Sequence, residues 1–302
     1  MPARIVVVGS LNMDLVLAVP RAPEAGETVT GRQLSFVPGG KGANQAVACA
    51  RLGGTVAMIG RVGADEFGAR LRDGLARDRV AVEQVSVDPT VGTGTALIMV
   101  DDQAQNRIAL IPAANHTLTP TIMEQMAAPI DAASLVLLQL EIPLPTVEWV
   151  IARAAAAKAQ VILNPAPAQA LPASIWSRVD YIVPNESEAA MLTGIDVTDV
   201  ASATAAANEM RRRGARHVLL TLGSKGVLIA DAAGTRTHPA PKVKAVDTTA
   251  AGDTFIGALA AMLSEGKDLD AAARFAVEAA SLSVTRAGAQ PSIPYRHEIQ
   301  AI

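Results

Sequence analysis

Short apolar runs alternate with longer amphipathic stretches along most of this chain. The runs rich in Val, Ile and Leu, which predict strands, cover residues 5–9, 56–60, 135–140, 161–164, 181–184, 218–222 and 227–230. The stretches with helical spacing of apolar positions cover residues 42–52, 66–78, 146–158, 201–213 and 271–284. Several runs show no polar alternation, as expected of strands that are covered on both faces. This order predicts an α/β fold with a central, mostly parallel sheet and helices on both faces.

Two segments interrupt the alternation with strand-like runs that have no helix between them. The runs lie at 15–19, 27–29 and 33–37, and then at 95–100 and 106–111, where residues 101–105 are typical of a hairpin turn. We interpret these segments, about 12–38 and 92–112, as one small β-sheet inserted at two places into a single domain of residues 1–302. A sheet that projects from strand ends can cover a site as a lid, pair with another subunit, or do both.

Composition and charge exclude several classes of protein. With 302 residues the chain can bury a sizeable core, and its single Cys excludes a disulfide framework and a multi-cysteine zinc site. A net charge of −3 and an aromatic content of 3% argue against a nucleic-acid or membrane-surface partner. The apolar runs are shorter than the roughly 18 residues that a bilayer requires. The N-terminus is typical of a buried strand rather than a signal peptide, so we expect a soluble, cytoplasmic protein.

Several familiar catalytic motifs do not occur in the sequence. The glycines do not complete a P-loop or a dinucleotide-binding fingerprint, and neither H-E-x-x-H nor G-x-S-x-G is found. The four His are scattered along the chain. These observations make a nicotinamide dehydrogenase, a metallohydrolase or a serine hydrolase an unfavourable interpretation.

A turn of small residues precedes an apolar helical run near the C-terminus. Asp247, Thr248 and Thr249 lead through two alanines to Gly252 and Asp253, which we place in the first helical turn. Backbone N–H groups and the helix dipole at such a start favour an anion. A carboxylate beside a bound phosphate could take the proton from an attacking hydroxyl during phosphoryl transfer. The same pattern also fits a helix start whose small residues allow close packing.

A second glycine-rich turn, residues 39–44, opens a helix near the N-terminus, and polar residues follow two predicted strands nearby. Ligands of parallel sheets bind at the carboxyl ends of the strands. The side chains there that suit the hydroxyls of a sugar are Asn12, Asp14, Lys41 and Asn44, and Glu141 follows the strand at 135–140. A plain turn with Asx caps remains the alternative.

Two further segments follow predicted strands. Asn185 and Glu188 share a helix face, so they could hold Mg²⁺ through water. They could instead form a capping box, and their spacing alone favours the capping box. The segment from Thr221 to Gly226 joins two strands, and it could line a nucleotide pocket or be a tight hairpin.

Taken together, these motifs resemble the ribokinase family of carbohydrate kinases, over residues 8–292. The two family signatures correspond to residues 39–46 and 247–255, with Asn185-x-x-Glu188 between them. Residues 9–14, 39–46 and 139–141 resemble the members that phosphorylate ribose more than fructokinases or adenosine kinases. The resemblance implies ATP-dependent phosphorylation of D-ribose at the 5-hydroxyl by in-line transfer. A deoxyribokinase, another pentose or nucleoside kinase, and a non-catalytic sugar- or nucleotide-binding regulator are the alternatives.

The resemblance also implies roles for individual residues. The sugar would be bound by Asn12, Asp14, Gly40, Lys41, Asn44, Glu141 and Asp253. Asp253 would be the base, and the N–H groups of Ala250, Ala251 and Gly252 would stabilise charge on the transferring phosphoryl group. ATP and Mg²⁺ would be bound by Asn185, Glu188, Thr221, Gly223, Ser224, Gly226, Gly252 and Val277. A monovalent cation, typically K⁺, would be bound by Asp247, Thr249, Ser283, Arg286, Gly288 and Ser292, partly through carbonyl oxygens.

The chain departs from the family pattern at two of these positions. Val277 stands where relatives often carry Asn or His, which removes one expected polar contact with the adenine base. Thr249 replaces a more usual branched apolar residue. The family also implies that the small sheet is a lid and a dimer clasp, so we expect a homodimer formed through that sheet.

Overall fold

The strands of the protein form two separate sheets in the computed structural model, which describes residues 5–103 and 105–299. The strands in these residues are β1 (Ile5–Val8), β2 (Asn12–Ala18), β3 (Gln33–Gly39), β4 (Val56–Gly63), β5 (Ala81–Asp88), β6 (Gly94–Val100), β7 (Asn106–Ile111), β8 (Leu135–Leu138), β9 (Gln160–Leu163), β10 (Tyr181–Ile182), β11 (His217–Thr221), β12 (Val227–Asp231) and β13 (Gly234–His238).

The larger sheet has nine strands in the order β13-β12-β11-β10-β9-β8-β1-β4-β5. Neighbouring strands are parallel from β5 to β11, whereas β12 is antiparallel to both β11 and β13. The predicted central, mostly parallel sheet is therefore confirmed. Its carboxyl edge is the side on which ligands bind in such folds.

Helices cover both faces of the large sheet. They are α1 (Lys41–Arg51), α2 (Glu66–Arg77), α3 (Pro120–Glu124), α4 (Ala128–Ala132), α5 (Leu144–Ala156), α6 (Ala173–Trp176), α7 (Glu186–Thr193), α8 (Val200–Arg212), α9 (Ala251–Ser264) and α10 (Leu269–Ser283). Ile5 and Val7 point into a core shared with α1, α9 and α10, while Val6 and Val8 point into a core shared with α5 and α8. Because successive strand residues face opposite ways, the continuous apolar runs of the sequence fill both cores.

The smaller sheet has the strand order β3-β2-β6-β7 and arises from two excursions of the chain. The first excursion follows β1 and ends at β3, directly before α1, and the second follows β5. In the register, Asn12 lies opposite Gly39, so the base of this sheet adjoins the carboxyl edge of the large one. The predicted hairpin turn at 101–105 includes residue 104, which lies outside the described residues.

Some predicted elements differ from the observed ones. The strand predicted at 27–29 is wrong: Glu27 is exposed and its carboxylate accepts hydrogen bonds from Arg21 and from the backbone of Glu24, with no neighbouring strand. Asn12 and Asp14 belong to β2 rather than to a loop. The strands β5 and β13 were not predicted, because both are edge strands with polar residues rather than apolar runs. No helix within the described ranges is long and apolar enough to cross a membrane.

Candidate active site

Two connected cavities lie at the carboxyl edge of the large sheet. A chamber of about 200 Å³ is lined by Lys41, Asn164, Glu188 and Asp253, and a cavity of about 650 Å³ lies beside it. Five residues line both cavities, namely Asn185, Thr221, Thr248, Ala251 and Gly252. The start of α9 therefore forms the boundary between the two, with Asp253 on the side of the smaller chamber.

Asp253 is a buried carboxylate in the first turn of α9, as predicted, and its side chain is held at both oxygens. Its Oδ2 accepts a hydrogen bond of 3.0 Å from Nδ2 of Asn44, and its Oδ1 accepts one of 3.0 Å from Nε2 of Gln45. Each carboxylate oxygen can accept a second bond. Asp253 is thus fixed in orientation and still able to accept a proton from a ligand hydroxyl.

A buried network of side-chain amides holds Gln45 in turn. Nε2 of Gln45 also donates to Oδ1 of Asn164 at 3.2 Å, and its Oε1 accepts from Nε2 of Gln139 at 2.6 Å. Asn164 follows β9 and donates to the carbonyl of Val183 at 3.1 Å. The roles of Gln45, Gln139 and Asn164 were not predicted from the sequence. The one sequence feature that could have indicated such a role is that Gln139 and Asn164 directly follow strands of the large sheet, where ligands bind.

The predicted sugar-binding residue Asn12 is buried and fixed by a residue from the second excursion. Its Oδ1 accepts from Nδ2 of Asn115 at 2.8 Å, and Asn115 bonds both the N–H and the carbonyl of Leu11. Asn115 was not predicted, because it lies more than a hundred residues away along the chain. In Asn44 the Oδ1 atom is buried with no hydrogen-bond partner in the described part of the chain, so it offers an acceptor to a ligand hydroxyl.

Glu141 joins the start of α1 to the loop after β1. Its Oε2 accepts from Oγ of Ser10 at 2.5 Å and from the backbone N–H of Lys41 at 3.1 Å. The approach of the two segments is very close, because a Cβ on Gly42 would lie 2.6 Å from the nitrogen of Ser10. Gly40, with φ 88°, supplies the left-handed turn that enters the helix.

Acidic groups outnumber basic ones around the small chamber. Burial, with smaller contributions from Glu141 and Asp253, raises the pKa of Asp14 to about 7. Burial alone would lower the pKa of Lys41, but the carboxylates of Asp253, Glu141 and Glu188 outweigh it and raise the pKa. Burial also raises the pKa of Glu188. The ammonium of Lys41 is therefore kept charged by three carboxylates, and the remaining negative charge favours a cation.

Asn185 and Glu188 form the capping box that their spacing favoured. Oδ1 of Asn185 accepts from the backbone N–H of Glu188 at 2.8 Å, and Oε2 of Glu188 accepts from the N–H of Asn185 at 2.9 Å. Within the described ranges no three His, Cys, Asp or Glu residues are grouped as metal ligands. A Mg²⁺ ion here would therefore take most of its ligands from phosphate oxygens and water, as Mg²⁺ commonly does.

The other residues predicted to bind a nucleotide line the larger cavity. The turn between β11 and β12 contributes Thr221, Gly223, Ser224 and Gly226, and Val277 lines the cavity from α10. Most of the α9 and α10 side of the wall is apolar, with Phe255, Val277, Ala280 and Val284. This lining suits the apolar faces of a flat ring, such as those of a nucleobase, more than a charged group.

Three of the residues predicted to bind a monovalent cation are bonded directly to one another. Asp247 accepts from the N–H and Oγ1 of Thr249 at 2.9 and 2.6 Å, and from the N–H of Gly288 at 2.8 Å. Burial acts to raise the pKa of Asp247, but these hydrogen bonds outweigh it and lower the pKa. The side chains of the other three are bonded elsewhere: Ser283 to the carbonyl of Ala280, Ser292 to that of Ala289, and Arg286 to Glu298.

Comparisons with known proteins agree with this geometry. Residues 2–296 match the pfkB family carbohydrate kinase family. The chain is 42% identical to a ribokinase of Haemophilus influenzae over 97% of this chain and 95% of that one, and 41% identical to a ribokinase of Bacillus subtilis over 99% and 98%. It is similar to the structure of Arabidopsis thaliana ribokinase complexed with ribose and ATP, with a TM-score of 0.94 and 34% identity over 99% of this chain and 98% of that one. The chain therefore belongs to the pfkB family of carbohydrate kinases.

Proposed function

We propose that this protein transfers the γ-phosphoryl group of ATP to the 5-hydroxyl of D-ribose, giving ribose 5-phosphate and ADP. The observation that carries the proposal is the buried carboxylate of Asp253 between two cavities, with both oxygens fixed by amides. The names of the relatives from Haemophilus influenzae and Bacillus subtilis support the choice of sugar. The Arabidopsis thaliana structure, which contains ribose and ATP, supports the pairing of these two substrates.

In this proposal the ribose lies next to the small chamber, at the end that Lys41 and Asp253 line. Its hydroxyls are bound by Asn12, Asp14, Gly40, Lys41, Asn44 and Glu141. Buried amides and carboxylates that are already fixed by hydrogen bonds cost little to orient, so they discriminate well between a sugar hydroxyl and its absence. Asp253 accepts the proton of the 5-hydroxyl as the oxygen attacks phosphorus, and no covalent enzyme intermediate forms.

The transferring phosphoryl group lies against the start of α9. The backbone N–H groups of Ala250, Ala251 and Gly252 and the positive end of the helix stabilise the charge that develops on its oxygens. A Cβ built on Gly252 meets no atom within 4 Å, so there is open space in front of this residue for the phosphoryl group. The rest of ATP occupies the larger cavity beside Thr221, Gly223, Ser224, Gly226 and Val277.

Mg²⁺ and K⁺ complete the proposed site. Asn185 and Glu188 hold Mg²⁺ through water, and the ion neutralises the phosphates. Asp247, Thr249, Ser283, Arg286, Gly288 and Ser292 hold K⁺, which adds positive potential beside the phosphoryl group. The local chemistry fits a cation, because the carboxylate of Asp247 has a lowered pKa and forms no ion pair with any described residue. Activity that is equal in K⁺, Na⁺ and N-methylglucamine would contradict the K⁺ site.

The small sheet is proposed to be a lid on the single domain and the contact surface of a homodimer. Large apolar side chains on it are 41–63% exposed, namely Leu34, Phe36, Leu97, Ile108, Leu110 and Ile111. The register places Leu34, Phe36, Leu97 and Ile111 on one face of the sheet and Ile108 and Leu110 on the other, and exposed apolar side chains grouped in this way are usually covered by another protein surface. Sedimentation of the full chain tests the dimer, and an Ile108→Lys variant that sediments as the wild type does would contradict this surface.

The proposed function is tested by ADP release with ribose, 2-deoxyribose, fructose and adenosine as acceptors, each with and without K⁺. We expect the highest kcat/KM with ribose, and mass spectrometry of the product identifies ribose 5-phosphate. A deoxyribokinase is the second candidate, because the chain is 37% identical to a deoxyribokinase of Salmonella typhi over 96% of its length. A clear preference for 2-deoxyribose would favour that candidate. Sugar binding without any ADP release would favour a non-catalytic regulator.

A further inference from the structure

Arg51, at the C-terminal end of α1, connects that helix to two distant parts of the chain. Its side chain is 13% exposed, and its Nε and Nη2 donate to the two carboxylate oxygens of Asp78 at 2.7 and 2.9 Å. Its Nη1 donates to the carbonyl oxygens of Gln290 and Ile293 at 2.6 and 3.0 Å. The ring of Tyr295 lies over the guanidinium, 5.0 Å from its central carbon. One side chain therefore holds a C-terminal segment at two carbonyls.

The segment held by Arg51 adjoins the proposed K⁺ site. Gly288, two residues before Gln290, donates its N–H to Asp247 at 2.8 Å. Ser292, another proposed K⁺ ligand, lies between the two carbonyls that Arg51 binds and is fully buried. The segment contains only one short 3₁₀ turn, Gln290–Ser292, so its own backbone bonds fix it poorly. Contacts from outside the segment must then determine where its carbonyl oxygens lie.

We propose that Arg51 is a positioning residue that holds residues 288–293 in the geometry required for K⁺ binding; the inference rests on the K⁺ site of the proposed function. The carbonyl oxygens of a cation site must be placed accurately, because they replace the hydration shell of the ion. Asp78 binds one edge of the guanidinium and leaves Nη1 directed at the segment. Lys cannot replace this residue, since a single ammonium cannot bind a carboxylate in two places and reach two carbonyls.

The test measures K⁺ binding to the full chain without substrates. Thermal unfolding is followed while KCl replaces tetramethylammonium chloride at constant ionic strength, and the K⁺ concentration at half-maximal stabilisation is determined. For Arg51→Lys we expect this concentration to rise about tenfold, the usual effect of removing a residue that orients metal ligands. Asp78→Asn keeps the two carbonyl bonds of Arg51, so we expect a smaller rise of about threefold. The K⁺ concentration for half-maximal ADP release should shift by the same factors.

Arg61→Lys is the matched control. Arg61 pairs with Asp88 at 3.1 Å, and its side chain is as little exposed as that of Arg51, at 13%, but it contacts the end of β5 instead of the C-terminal segment. This variant should lose stability and keep the K⁺ dependence of the wild type. If Arg51→Lys also loses stability with an unchanged K⁺ dependence, the positioning role is overturned. If the wild type shows no stabilisation specific to K⁺, the K⁺ site itself is wrong and the inference falls with it.

Discussion

The two cavities of the candidate site are built in different ways. At the proposed sugar end, which meets the smaller cavity at Lys41 and Asp253, polar side chains are bonded to one another before any ligand binds, as in the pairs Asn12–Asn115, Ser10–Glu141 and Gln45–Asp253. In the larger one, the proposed nucleotide end, much of the wall is apolar and the polar contribution comes largely from turns and helix starts. The two ends meet at Gly252.

This difference indicates how each substrate is selected. A fixed polar network rejects a ligand that lacks one hydroxyl, since the protein groups are then left unpaired in a buried site. An apolar cavity discriminates weakly, because it recognises shape and area. Changes at the sugar end should therefore alter turnover and pH dependence strongly, whereas changes at the far part of the nucleotide end should alter only the affinity for ATP.

The largest effect is expected at the centre of the sugar end. Asp253→Asn keeps the size of the side chain but removes the proposed base, so we expect kcat to fall by about 10² or more with a smaller change in the KM for ribose. Steady-state ADP release measures both constants. Turnover near that of the wild type would show that another group takes the proton.

The next effect is expected where the two ends meet. Gly252→Ala adds a methyl group into open space, so the protein should remain as stable as the wild type. We expect kcat to fall about tenfold, because the methyl group would displace the phosphoryl oxygens from the N–H groups proposed to bind them. Thermal unfolding and ADP release separate these two results.

Gly257→Ala on the same helix is the contrasting variant. A Cβ there would lie 2.4 Å from that of Ala48 and 2.8 Å from the nitrogen of Cys49, so α1 and α9 would be forced apart and the melting temperature should fall. If Gly252→Ala were the less stable of the two variants, the space in front of Gly252 would not be open.

A pH-dependent effect is expected from Asp14. Since its pKa is raised to about 7, the carboxyl group gains a proton as the pH falls through 7 and then accepts fewer hydrogen bonds from the sugar. The KM for ribose should rise about tenfold per pH unit below 7, and Asp14→Asn should abolish this dependence. Initial rates between pH 5.5 and 8.5 measure it, and a pH-independent KM in the wild type would contradict the role of Asp14.

Stability provides a second measurement on Asp14. Folding raises the pKa of its carboxyl group from 3.8 to about 7, so between these pH values the folded state binds more protons than the unfolded state. Stability from this group is therefore lost as the pH rises from 3.8 through about 7, and it changes no further once the carboxyl group is ionised in both states. Asp14→Asn should melt at a higher temperature than the wild type at pH 8, and should lose this advantage in acid.

The smallest effect is expected at the far part of the nucleotide end. Val277 is buried in the wall of the larger cavity, so Val277→Asn places an amide beside the proposed position of the adenine base. We expect the KM for ATP to fall about threefold, the size of one modest hydrogen bond, with kcat and the KM for ribose unchanged. Val277→Ala is the control for lost packing and should raise the KM for ATP instead. A change in the KM for ribose would mean that the two ends are coupled.

The succession of strands and helices along the chain and the residues at helix starts could be predicted from the sequence because they depend on local patterns. Buried parallel strands are apolar runs, and Asp253 and Lys41 lie in first helical turns that small residues mark. The edge strand β5 was missed because polar and apolar residues alternate in it, as befits a strand with one covered face. The run at 27–29 has strand-like residues, but no partner strand lies beside it.

The buried network could not be predicted in the same way. Asn115, Gln139 and Asn164 are single polar residues whose partners lie 94 to 119 residues away, so no local spacing marks them. Only the folded chain brings the amide of Gln45 between Asp253 and Gln139. Val277, by contrast, could be identified before the structure was known, because the resemblance to the family marks its position, and it lines the larger cavity.

The two sheets share no strand within the described residues, and this affects which parts of such a protein can change during evolution. Within the described residues the strands of the small sheet pair only with one another. The two excursions that form this sheet follow β1 and β5, so both begin where a strand of the large sheet ends. The length, curvature and outer surface of the small sheet can therefore change while the register of the nine-stranded sheet stays intact. Asn12, at its first position, is the exception, because its bond to Asn115 ties both excursions together. A chimaera that exchanges the small sheet beyond Asp14 would thus exchange a peripheral module and leave the chemistry in place.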